Sequence, residues 1–248
     1  MKLSIEEAIF KRGFLISSSG GILTLCKGSH EFDQADLFKI LDHLTINYEH
    51  VGNGLRILDE VKQEQLQSIL LFPAKNHETN VDMSYGSWKN FTRRKHGPKA
   101  RTIVLESGVA ILVKALSAVG ISTVSSCDGH GNRSPGIDFA SYHNAVWFEY
   151  LQENYLNHLT LHYKWEVKLR QANQLAYLTA VGTSYDVSML QEDSSKMAKM
   201  LLDHDEMFRG LKSTYFSMDK KPTKRRLKDK SYESTKEIMN EIIKENVV

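Results

Sequence analysis

The chain has 248 residues, 41% of them hydrophobic and 25% charged, which excludes disordered and collagen-like classes and leaves room for one large domain or two small ones. The net charge is only +2, so no overall polyanion or polycation character sets the class. No run approaches the ~18 apolar residues of a membrane span, Glu6 and Glu7 stand where a signal peptide needs an apolar stretch, and Cys26 and Cys127 are too few for a disulfide scaffold, so a cytoplasmic protein with no membrane association is expected.

Residues 4 to 15 predict a short helix, and Gly21 to Cys26 a strand that follows a Ser17 to Gly21 turn. Leu37, Leu41 and Leu44 mark one amphipathic helix; Leu55, Leu58, Val61, Leu66, Ile69 and Leu70 mark the next, which Pro73 ends. Residues 1–75 therefore read as a mainly helical N-terminal region packed on the core. Residues 76–106 lack periodicity and form a basic loop: Lys89, Arg93, Arg94, Lys95, Lys99 and Arg101 occur with no acid between Met83 and Leu105. Trp88 and Phe91 lie among them, the mixture a polyanion with stackable bases would use.

Residues 107–217 predict an α+β core. A nearly all-apolar helix from Val109 to Val119, with Lys114 and Ser117 on one polar stripe, is closed by Gly120. Ile121 to Val124 is a strand, Ser125 to Gly136 a loop, Ile137 to Ala140 a second strand, and Asn144 to Tyr155 a helix. Strict alternation from Leu159 to Lys168 marks a half-buried strand, with Trp165 on its apolar face. Residues 173 to 187 add a further strand, and a helix carrying Met197, Met200, Leu201, Phe208 and Leu211 begins near Asp193 or Ser194. This helix-strand-strand-helix-strand order implies a small, mostly antiparallel sheet with helices on one face. Residues 218–230 form a basic linker around Pro222. Residues 231–248 form a detached amphipathic helix with a Ser234–Glu237 capping box, whose narrow stripe either docks back or serves a protein partner.

The chemistry concentrates in Ser125-Ser126-Cys127-Asp128-Gly129-His130-Gly131-Asn132-Arg133-Ser134, where a thiol, a carboxylate, an imidazole and a guanidinium lie among glycines after a strand. Glycine backbones there would let loop amides cradle an anion, with Arg133 as counter-charge. As a metal site, Cys127 and His130 are spaced C-x-x-H and Cys26 and His30 C-x-x-x-H, a zinc-type set, while Asp128, Asp138 and His143 offer a harder set for magnesium or manganese. As a nucleophile site, Cys127 and Arg133 have the C-x5-R spacing of cysteine-dependent phosphatases, without the helix those enzymes place after the arginine. Glu166-Val167-Lys168 has the E-x-K form of metal-dependent nucleases, and Trp88, Tyr142 or Trp165 offers a ring for a base.

Entered from an apolar helix, Thr123-Val124-Ser125-Ser126-Cys127-Asp128-Gly129 resembles the Ser-Ser-Cys-x-Gly loop of a tRNA-modifying family of wybutosine synthesis. His130 stands where that family has an arginine, and neither activity nor site residues are carried over from these seven positions.

The leading expectation is an enzyme that acts on a nucleotide or nucleic acid by metal-assisted phosphoester hydrolysis at the 125–138 loop. Asp128, His130, Arg133 and Cys127 are its catalytic candidates. Asp128, His130, Cys127 and Asp138 would hold a divalent metal (zinc, manganese or magnesium), and Arg93, Arg94, Lys95, Lys99, Arg101 and Arg133 would neutralise phosphates at that site. One alternative is a non-catalytic nucleic-acid-binding subunit that uses loop 89–101 and the C-terminal helix as contact surfaces; another is a cysteine-dependent phosphatase.

Overall fold

A computed structural model describes residues 3–75, 83–170, 175–216 and 220–246. The first helix, α1 (Ile5–Arg12), starts where the Ser4 side chain accepts the Glu7 amide and stops at Gly13, whose φ of 114° a side chain would resist. A Cβ at Gly13 would also sit 2.7 Å from the Ala110 Cβ, so the helix stop is a close packing point against the core. The Ser/Gly run is strand as well as turn. β1 (Ile16–Ser19) and β2 (Ile22–Leu25) pair antiparallel around Gly20 and Gly21, both at positive φ.

The helix marked by Leu37 and Leu41 is α2 (Asp33–His43), but the one predicted from Leu55 to Leu70 is correct only in its second half. Residues 48–57 form a hairpin, β3 (Tyr48–Val51) and β4 (Gly54–Ile57), and only Gln63–Leu70 is helical, as α3. Leu55 and Ile57 alternate with Arg56 at the strand period, and Gly52-Asn53 turns the chain between them. Leu58, counted on the helical stripe, is 56% exposed. The N-terminal region thus has its expected helices and also a four-stranded sheet of order β1-β2-β4-β3.

In the basic segment, described from Met83 onward, Ser87 caps a short helix, α4 (Trp88–Arg93), where a loop was expected. Its Trp88 and Phe91 are buried beside His143 and Phe216, so these rings belong to the core and offer no base a stacking surface. The apolar helix is α5 (Ala110–Ala118), all nine residues of which are buried. Its polar stripe is satisfied internally. Lys114 ion-pairs with Asp33 of α2, and its Nζ also donates to Thr102 Oγ1 at 2.7 Å. Arg101 clamps Asp36 through two contacts of 2.5 and 2.6 Å. The buried Lys114–Asp33 pair and the half-buried Arg101–Asp36 pair join the N-terminal region to the core with fixed geometry.

The second sheet has order β5-β6-β8-β7, antiparallel throughout: β5 (Thr123–Cys127), β6 (Gly136–Phe139), β7 (Lys164–Leu169) and β8 (Ala176–Val181). The architecture is α+β, two small antiparallel sheets flanked by helices. After β6 comes α6 (Tyr142–Leu151), prolonged by a π turn to Leu156. The helix expected to begin near Asp193 begins at Val187 and is two helices, α7 (Val187–Asp203) and α8 (Asp205–Phe216). Asp186 is the cap, accepting the Ser188 and Met189 amides. Asp193 lies within α7, fully buried, and accepts the His162 and Tyr163 amides and the Trp165 indole N–H. A carboxylate with three donors is sequence-indistinguishable from a cap, hence the misplaced start.

The basic linker is helical over α9 (Lys220–Leu227). The last helix, α10 (Tyr232–Asn246), is begun by Ser231, whose hydroxyl accepts the Ser234 amide; Ser234 is one turn too late to be the cap. Of the two fates open to its stripe, α10 takes the first and docks back. Met239, Ile242 and Ile243 are buried in the main core, and Tyr232 donates to Glu149 of α6 at 2.5 Å. No helix among the described residues is long and apolar enough to cross a membrane.

Candidate metal centre

Cys127 ends β5 and Gly136 begins β6, so the loop between them turns the chain within eight residues. It does so through three successive left-handed residues, Gly129 (φ 79°), His130 (φ 51°) and Gly131 (φ 72°). The glycines adopt this freely, whereas His130 carries a cost of about 1–2 kcal/mol for its side chain. Asp128 holds the strained residue in place. Its Oδ1 accepts the His130 amide at 3.1 Å, and its Oδ2 accepts the Gly108 amide, just before α5, at 3.2 Å. Gly108 must lack a side chain, because its Cβ would lie 2.7 Å from that of Asp128. Farther along, Ser134 bonds Tyr185 and the buried Thr179 hydroxyl donates to Pro135, anchoring the loop to β8 and the chain beyond it.

Glu106 completes the arrangement, and no motif in the sequence marks it. Its Oε2 accepts the Asp128 amide at 2.5 Å, while Oε1 lies 3.2 Å from His130 Nε2. The Cys127 sulfur accepts the Gly129 amide at 3.3 Å. Ligand atoms of Glu106, Cys127 and His130 all lie within 4.8 Å of one another. A carboxylate, a thiol and an imidazole so placed can hold a divalent metal, and the His130 side chain, 58% exposed, leaves one side open to solvent. His130 Nδ1 lies 3.6 Å from Asp128 Oδ1, beyond hydrogen-bond reach, so Asp128 positions His130 through its backbone amide rather than through the ring. Asp128, expected as a ligand, lies outside the Glu106–Cys127–His130 group and bonds the His130 and Gly108 amides, whereas Glu106, which was not expected, lies within it. Burial pushes the Cys127 thiol up, and the neighbouring Glu106 and Asp128 charges add to this against the Gly129 amide.

Other expected participants lie elsewhere. Asp138, two residues beyond the strand partner of Cys127, bonds Ser125 and is 2.7 Å from Arg170, outside the ligand group. Cys26 and His30 do not join Cys127; the His30 ring packs on Phe32, and its Nδ1 accepts the Phe32 amide. His143 lies among Trp88 and Phe91, and burial pushes its pKa down to about 4. Within E-x-K, both Lys164 and Lys168 pair with Glu166 on the edge strand β7, and β8 separates them from Asp138. Tyr142 is half-buried in a T-shaped contact with Tyr232, and Trp165 is buried and offers no open face for a base.

The expected anion nest does not form, because the amides of Asp128, Gly129, His130, Asn132 and Arg133 are all bonded within the chain. A strand follows Arg133, so a Cys127 thiolate would have one amide donor, that of Gly129, and no helix N-terminus. Arg133 itself is exposed on the loop. The basic segment does not line the approach either. Gly97 bonds Ser117, and His96 donates to Ala118 at 3.0 Å, which puts Arg93, Arg94 and Lys95 at the C-terminal end of α5. Glu106 and Gly108 mark the opposite end, about 13 Å away by the rise of nine helical residues. Arg101 is committed to Asp36, and Lys99 is exposed.

No family model, no curated protein and no solved structure matches the chain.

Proposed function

We propose that the protein is a metal-dependent hydrolase of phosphoester bonds in a nucleotide or nucleic acid, with Glu106, Cys127 and His130 as its metal ligands. The observation that carries this reading is the convergence of three different ligand types, from the segment before α5, the end of β5 and the loop after it, within 4.8 Å, with the strained loop residue held by a supporting carboxylate. Two acids beside the thiol make the loop hostile to a bare phosphate, so a cation between protein and substrate is required. A thiolate, an imidazole and a carboxylate suit zinc, and three protein ligands leave a fourth position at which bound water reaches a pKa of about 7. Asp128 holds the His130 backbone through its amide beside the site, and exposed Arg133 supplies a counter-charge for substrate phosphate.

The test is elemental analysis of untagged protein, wild type beside Glu106→Gln, Cys127→Ser and His130→Ala, paired with hydrolysis of chromogenic phosphodiester and phosphomonoester substrates. The reading expects near-stoichiometric metal and turnover in the wild type, both lost in each variant. Metal binding without turnover would make the site structural, and turnover that survives all three substitutions would remove the reading altogether.

A further inference from the structure

A second cluster of charge lies at the other end of α5. A cleft of about 500 Å³ opens between the end of α4, the face of α8 and the segment after β2. Lys27, Arg93, Arg94, Lys95, Arg209 and Lys212 line it, drawn from three segments far apart in sequence. Their roles divide in two. Arg209 and Lys212 form the floor: Arg209 donates to Ala118 O at 3.1 Å, Lys212 Nζ donates to Gly120 O at 2.5 Å, and both face the negative end of the α5 dipole. Arg209 is also paired with Asp205, and Glu206 is an acid on the wall. Lys27, Arg93, Arg94 and Lys95 form an exposed rim and make no ion pair with any described residue. Arg94 is held over the Tyr85 ring at 4.0 Å, which orders its guanidinium without neutralising it.

Four unpaired cations around a concave floor repel one another and gain most from an anion that bridges them. Lys212 points the same way. It is 4% exposed, burial lowers its pKa to about 7, and no carboxylate among the described residues offsets that burial. Trp88 and Phe91 are buried, Arg94 lies over the Tyr85 ring, and His96, which lines the cleft, is bonded to Ala118 O, so the large rings of the segment are not presented to a base. From these contacts we infer that the cleft is a phosphate-binding site, distinct from the Glu106–Cys127–His130 centre, which holds consecutive phosphates of a nucleic-acid strand or nucleoside polyphosphate without reading the base. The inference does not depend on a metal at the loop. Its volume fits a polyphosphate or a short stretch of strand backbone.

Fluorescence anisotropy with a labelled, mixed-sequence single strand tests it, with competition by unlabelled ATP and by inorganic triphosphate. Binding should weaken with salt, and Arg93→Ala/Lys95→Ala should lower the slope of log affinity against log salt by about 1.4, two contacts at about 0.7 each. Lys27→Ala should weaken binding too, although it lies more than sixty residues away in sequence. Lys89→Ala/Lys99→Ala removes equal charge from the same basic segment but outside the cleft and should bind as wild type. Displacement by triphosphate at ligand-like concentrations assigns the site to a nucleoside polyphosphate, and binding that only longer strands compete for assigns it to a strand. No binding of strand, ATP or triphosphate at about 50 mM salt overturns the inference. Equal losses in the Lys89/Lys99 and Arg93/Lys95 variants would also overturn it, since net charge alone would then account for the effect.

Discussion

Replacing Asp33 with alanine strips the joint between the N-terminal region and the core of its central acceptor. Asp33 is fully buried, and it accepts the Thr102 amide at 2.9 Å and the His30 amide at 2.8 Å in addition to the Lys114 ammonium. Without it Lys114, 2% exposed, keeps only the Thr102 hydroxyl as a partner. Stranding a buried charge costs about 3–5 kcal/mol, and the orphaned Thr102 amide adds about 1–3 kcal/mol. The expected loss of about 4–8 kcal/mol is a large part of the stability of a typical protein. Lys114→Met should cost less, because Asp33 keeps both backbone donors and lies in the field of Arg101.

The Asp33→Ala deficit should also depend on pH in a definite direction. Burial lowers the Lys114 pKa in the folded state below its ordinary 10.5, and the Asp33 carboxylate is the neighbour that most opposes this, so removing it lets the pKa fall further. The unfolded chain then binds more protons than the folded one, so stability rises as pH rises toward 10.5, with a limiting slope of about 1.4 kcal/mol per pH unit. Urea denaturation of the wild type and both variants at about pH 7 and pH 9 would measure this. A deficit under about 1 kcal/mol, a deficit that does not shrink on the alkaline side, or a costlier Lys114→Met would refute the account of the joint.

Three further substitutions separate structural from functional roles. His130→Gly relieves about 1–2 kcal/mol of left-handed strain and adds about 0.5–1 kcal/mol of unfolded-state freedom, so the metal-free protein should be as stable as wild type while metal is lost; a fall in Tm of more than a few degrees would make His130 a structural residue. With the His143 pKa pushed from 6.5 to about 4, the unfolded state takes up a proton first on acidification, and about 3 kcal/mol of stability should drain away between those values. His143→Leu should flatten that acid limb in denaturation curves, and an unchanged limb would show that His143 is not the group responsible. Met239→Ala should cost about 2–5 kcal/mol if α10 is part of the core, whereas a helix held for a partner would lose almost nothing.

Much of the main core was legible in the chain because its signals are local. The nearly all-apolar run of α5, the Gly120 stop and the alternation around Trp165 each state within a dozen residues which face must be buried. The Cys127–Arg133 segment stood out as a candidate site in the same way, through reactive side chains crowded between glycines. Local signals misled where two periods coincide: Leu55, Leu58 and Val61 fit a helical stripe, yet Gly52-Asn53 made the hairpin the lower-energy choice.

Which groups meet across the chain was decided only by tertiary packing. Glu106 lies twenty-one residues before Cys127 and reaches the loop because α5 and β5 fold back against one another; nothing in its own neighbourhood marks it. Packing also reassigned the cations, committing Arg101 to Asp36 and carrying Arg93 to Lys95 to the far end of α5, where Lys27, Arg209 and Lys212 join them. Periodicity and turn chemistry act over a few residues and are written in order along the chain. Charges and ligands act over a few ångströms in space, and the chain order that determines those distances does so only through the completed fold.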